Sequence, residues 1–259
     1  MYHSKEYIKD ALTNHTNNTL KRKKQDIFDI VNNLLSIANG YDIESYRVFQ
    51  CGKEESVHHD NEESVDGEKF IDTVFDVVTS STPLFIACFM QEIECVRCLL
   101  EHTASIDMAK ENGETSLCNA CKNGHTDIVK LLLEKNAYVN ICSNDGRSPL
   151  HNASLLGHTD TVRMLLEKNA NVDICDKNGV SPLTGASHKG QTEIVRMLLE
   201  KNANVDLCGK DGVSPLNDAS HKGQTDIVRM LLEKNANVDL CGKDGVSPLN
   251  GAIPKGHMI

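Results

Sequence analysis

Cys95-x2-Cys98 followed by Cys118-x2-Cys121 is the arrangement in this chain closest to a reactive or metal-binding site. Two such cysteine pairs match the ligand pattern of a zinc ribbon, where thiolates close a tetrahedral shell. Four further cysteines, Cys142, Cys175, Cys208 and Cys241, recur at a constant interval of 33 residues. His58-His59 beside Asp60 offers weak metal donors, and Lys21-Arg22-Lys23-Lys24 is a basic run of the nuclear-import type. No glycine-rich phosphate loop, Gly-x-Ser-x-Gly elbow or His-Glu-x-x-His run occurs. Carboxylates are plentiful, but none has a partner that the sequence can identify. The chain is therefore expected not to be an enzyme and to need no cofactor.

The elements that must carry these thiols speak against metal chemistry. Leu84, Leu117, Leu150, Leu183, Leu216 and Leu249 follow one another at steps of 33 residues, each third in a Ser/Thr-Pro/Ser-Leu triplet. Glycines 124, 157, 190, 223 and 256 keep the same step, and residues 179–211 differ from residues 212–244 at three positions only. In this register Cys95 falls where Ile128 and Ile194 stand, and Cys98 where Leu131, Met164, Met197 and Met230 stand. These thiols read as small apolar core residues. The column from Cys142 to Cys241 steps by one repeat, about 10 Å for packed helices, which exceeds the roughly 7 Å Cα reach of a disulfide.

One repeat can be built from its residues. Ser181 is a good N-cap, and Pro182 fits the first helical position, where no amide bond is lost. A short helix presenting Leu183 and Ala186 is stopped by Gly190 in a left-handed conformation. Thr192 is expected to cap a second helix whose stripe is Ile194, Val195, Leu198 and Leu199. Asn202 ends it, since asparagine tolerates the left-handed backbone, and an extended finger of residues 207–212 leads to the next triplet.

The pattern resembles the ankyrin repeat. The signature stands most fully at Ser148-Pro149-Leu150-His151, with Gly124-His125 and Gly157-His158 at the turn and residues 127–133 in the second helix. The resemblance implies an all-α solenoid of helix-turn-helix units with extended finger loops over residues 77–259. Its units are 77–109, 110–142, 143–175, 176–208, 209–241 and a truncated 242–259. The first is degenerate, with Gln91 in a glycine slot and Thr103 ending its second helix. The signature histidine is replaced by Phe85, Cys118, Thr184, Asn217 and Asn250, which should loosen those loops.

Residues 1–76 lack the period and read as a short helical and disordered N-terminal region. A helix is predicted at about residues 24–39, an acidic linker over 54–68 and an apolar capping segment over 70–78. At the other end, Ile253, Met258 and Ile259 form a crude cap, or the last full repeat exposes apolar surface in a fragment of a longer chain.

The charge is −10, from 27 Lys+Arg against 37 Asp+Glu, which argues against nucleic acid as partner. No apolar run spans a membrane, and no export signal opens the chain. The expected setting is cytoplasmic, or nuclear through the basic run. The resemblance implies a protein-protein interaction scaffold, binding through finger tips and the inner faces of the first helices. The residues implied are Arg147, Leu155, Leu156, Lys177, Val180, His188, Lys189, Lys210, Val213, His221, Lys222 and Val246. Leu155 and Leu156 occupy positions where polar groups are expected, so at least one should be exposed. The alternatives are a regulatory ankyrin tail of a larger protein and a metal- or thiol-dependent protein. A monomer is expected unless an uncapped end self-associates.

Overall fold

The computed structural model describes residues 81–101, 104–243, 245, 247 and 248. The readings placed on residues 1–78, Thr103, Val246 and Ile253 to Ile259 lie outside the described residues. The chain divides into two compact units, residues 1–110 and 111–259. Ten helices and no strand occur among the described residues.

In the first unit, α1 (Pro83–Phe89) and α2 (Ile93–Glu101) form one helix pair. The Thr82 hydroxyl accepts from the Phe85 amide at 3.2 Å, and Pro83 follows at the first helical position. Gln91 turns the chain at φ 61°, a left-handed conformation that costs a non-glycine residue about 1 kcal/mol. Leu84, Ile86, Val96 and Leu99 are buried, and so is Cys95. Lys110 Nζ lies 4.6 Å from the centre of the Phe85 ring.

The second unit holds four helix pairs: α3 (Ser116–Asn123) with α4 (Thr126–Glu134), α5 (Pro149–Leu156) with α6 (Thr159–Glu167), α7 (Pro182–Lys189) with α8 (Thr192–Glu200), and α9 (Pro215–His221) with α10 (Thr225–Glu233). Each first helix starts as its residues dictate. Thr115, Ser148, Ser181 and Ser214 accept from the amide three residues on. The expected Thr192 cap is corrected. Gln191 holds the cap position of α8 without a side-chain bond, and Thr192 instead donates its hydroxyl to the Gly190 carbonyl at 3.5 Å. Asn136, Asn169, Asn202 and Asn235 all turn at φ between 58° and 63°, ending the second helices as expected.

Stacking follows the register. α7 packs on α5 and α9, α5 on α3, and the second helices α4, α6, α8 and α10 stack in order. Leu117, Leu132, Leu150, Leu165, Leu183, Leu198 and Leu216 are fully buried, each contributing about 2 kcal/mol of transfer free energy. Burial depends on the neighbour as much as on the helix. α8 and α10 differ at one residue, yet Leu199 is 4% exposed and its counterpart Leu232 44%.

The finger tips are tied by backbone bonds between adjacent repeats. The amides of Asn144, Lys177, Lys210 and Lys243 donate to the carbonyls of Asn112, Asp145, Asn178 and Asp211, at 2.6–2.8 Å. Gly146 at one tip has φ 82°, and a Cβ there would lie 2.9 Å from the Lys177 amide nitrogen, so only glycine fits. Opposite the tips, Asn140, Asp173 and Asp206 accept, through their side chains, from the amides of Asn171, Asn204 and Asn237, each at 2.9 Å.

Candidate functional site: the inner face of the repeats

Each thiol of the two cysteine pairs sits on a helix. Cys95 is buried and Cys98 half-buried on α2, while Cys118 and Cys121 are buried on α3. Burial pushes the Cys95 thiol up to about 12 and the Cys118 thiol to about 11, and raises Cys121 well above its ordinary range. Thiols held protonated are poor nucleophiles and poor metal ligands. Cys118 donates its Sγ–H to the Ile141 carbonyl at 3.2 Å. Cys142, Cys175 and Cys208 have thiol values raised chiefly by burial, and each donates to the carbonyl two residues before it.

The signature histidine behaves as a structural group. His151 is 1% exposed and hydrogen-bonded to the backbone of Val180, in the next repeat's finger. Burial lowers its pKa below the ordinary 6.5, and the nearby Asp176 carboxylate only partly opposes this. The finger beside Thr184 closes with the same backbone bond as the finger beside His151. The bond closing the finger is 3.0 Å from Asp176 N to Val180 O beside His151, and 3.1 Å from Gly209 N to Val213 O beside Thr184. The replacements bond locally instead: the Asn217 side chain accepts from the Ser214 amide and hydroxyl, completing a capping box.

The candidate binding residues occupy the ends of the first helices and the fingers. Leu156 ends α5 with 48% of its surface exposed. Leu155 is half-buried instead, because it lies over the next first helix: a Cβ at Gly185 would be 3.3 Å from Leu155 Cδ1. One repeat on, His188 takes the position of Leu155 and Asp218 that of Gly185, and His188 Nδ1 is 3.1 Å from Asp218 Oδ1. Val180 and Val213 are half-buried in the fingers. Lys177, Lys189, Lys210, Lys222 and His221 are exposed.

Arg147 is less free than its sequence position suggests. Its Nε lies 3.5 Å from Asp145 Oδ2 and 3.9 Å from Asp176 Oδ2, within reach of charge attraction but without a hydrogen bond. Asp176 is buried, and its Oδ1 accepts from the Asn178 and Val180 amides. The Ser143 hydroxyl, with help from Arg147, holds the Asp145 carboxyl below its usual range. Asp176, Gly185 and Asp218 stand outside the set read from sequence. The signal was there: Arg147 occurs with Asp176 where the next repeat has Val180 with Gly209, and His188 occurs with Asp218 where the previous repeat has Leu155 with Gly185.

Fold and face together define a stack of helix-turn-helix repeats with solvent-facing finger tips. A family model described as ankyrin repeats in three copies matches residues 23–142, 106–176, 135–207 and 168–244. The chain belongs to the ankyrin-repeat family. No curated protein matches it.

Proposed function

We propose that this protein is an interaction scaffold that binds a protein partner through the inner face of repeats 143–241. Ankyrin repeats are generally protein-interaction modules, and the family's members are typically non-enzymatic. The observation that carries the reading is Leu156, a leucine 48% exposed at the end of α5 while the leucine beside it is packed on the next repeat. Lys189 and Lys222 hold its position in the following repeats, so an apolar anchor is continued by a basic edge. Partner-binding residues on this face are Leu156, Lys177, Lys189, Lys210, Lys222 and His221. Leu155, Val180, Val213 and His188 divide their surface between stacking and partner.

Proximity labelling in the native cell, with the wild-type chain and Leu156→Ser side by side, tests the reading. Removing a central apolar anchor costs about 2 kcal/mol or more of binding, so labelled partners should fall by more than tenfold. An unchanged set of labelled proteins would end the proposal for this face.

A further inference from the structure

We infer that the inner face of residues 176–243 takes an acidic, extended protein segment with a carboxylate at every third residue. This rests on the binding face proposed above and names the chemistry of its occupant. The tip-to-tip backbone bonds of Lys177, Lys210 and Lys243 fix these three lysines in one column along the fingers. Lys189 and Lys222, at the ends of α7 and α9, form a second column one repeat apart. All five are exposed, and none makes an ion pair among the described residues.

The carboxylates nearby are already engaged. Asp218 meets His188, and buried Asp176 meets Arg147 and two amides. Asp211, exposed at a tip, is the exception. A chain of net charge −10 thus presents unpaired positive charge on this face, and such local fields choose the sign of a partner.

Spacing restricts the occupant further. Adjacent repeats stack at about 10 Å, and an extended chain in the polyproline II form has three residues per turn and rises about 3.1 Å per residue, so every third side chain faces the columns and three residues of partner span about one repeat. Half-buried Val180 and Val213 lie beside the columns and suit aliphatic side chains between the acids. A nucleic-acid strand has the right charge but lacks its platform. Tyr138 is the one aromatic residue among the described residues 111–243, and Arg147 is turned to Asp145 and Asp176.

The test is fluorescence anisotropy of the full chain with a labelled twelve-residue peptide carrying Glu at every third position and Val or Ser between. Binding is expected to weaken as salt rises, and to weaken about tenfold for K177Q/K210Q/K243Q at low salt with an unchanged thermal melt. The charge-reversed K177E/K210E/K243E should prefer the same peptide with Lys in place of Glu, which a folding defect would not produce. Equal binding of a peptide with Glu at every second position would overturn the spacing. Tighter binding of a twelve-nucleotide RNA would overturn the choice of a protein partner. If the lysine variants bind normally and Leu156→Ser does not, the face stands and the acidic occupant is wrong. If both bind normally, the binding face itself falls.

Discussion

Repeats 143–175 and 176–208 make the same contact to the repeat that follows with opposite chemistry. Leu155 covers the bare backbone of Gly185, whereas His188 pairs with the Asp218 carboxylate at 3.1 Å. In each repeat the residue at this position suits the one it meets in the repeat that follows, an apolar side chain over glycine or an imidazole beside a carboxylate. Matched pairs give one side to stacking, and the residues beside them, Leu156 in one repeat and Lys189 in the next, are left wholly for solvent or partner. The same division runs along the fingers, where Arg147 faces Asp176 but Val180 lies near Gly209, a Cβ there being 3.9 Å from Val180 Cγ2.

Crossing the pairs is the strongest way to break this comparison. Gly185→Asp places a carboxylate against Leu155, and burial of a charge without a partner is expected to cost about 2 kcal/mol in urea unfolding. Adding Leu155→His recreates the other repeat's pair and should return about 1 kcal/mol, read as the coupling in a double-mutant cycle. Strict additivity would show that the pairs are independent substitutions.

A smaller effect separates His151 from the exposed histidines. Burial holds its folded pKa below the ordinary 6.5. As pH falls through 6.5, the unfolded chain takes up a proton that the folded chain resists, so stability declines with acid and is fully present above that pH. His151→Asn, which installs the residue found at Asn217, should flatten the stability profile below pH 6.5 relative to wild type. An unchanged slope would mean that His151 does not contribute to acid sensitivity.

The smallest expected change is at Asn202, whose φ of 59° glycine adopts without strain. Asn202→Gly should raise stability by about 0.5 kcal/mol, measured as a shift in the urea midpoint. A loss would show that the Asn side chain contributes more than its backbone costs.

These pairs explain what the sequence disclosed and what it withheld. Helix starts at Ser181 and Ser214, the left-handed Gly190 and Asn202, and the core leucines follow from local rules applied at a fixed step, so they were legible. Thr192 misleads because a threonine at a helix start is also a donor, and its hydroxyl bonds the carbonyl two residues before it. Leu155 and Arg147 look open in the sequence because their partners, Gly185 and Asp176, lie 30 and 29 residues away. Only the stacked repeats bring those residues together, and a single repeat read alone cannot show which of its side chains its neighbour will cover.

Leu155 and Leu156 are adjacent in the chain yet assigned to different tasks, so changing them one at a time tests the central claim most directly. Leu155→Ser and Leu156→Ser would each be taken through urea unfolding and through capture of the partner identified by labelling. The expected result is a loss of about 2 kcal/mol in stability for Leu155→Ser. For Leu156→Ser, stability should stay within about 0.5 kcal/mol while capture weakens about thirtyfold. Capture and unfolding both unchanged in Leu156→Ser would contradict the claim that this face is kept open for a partner.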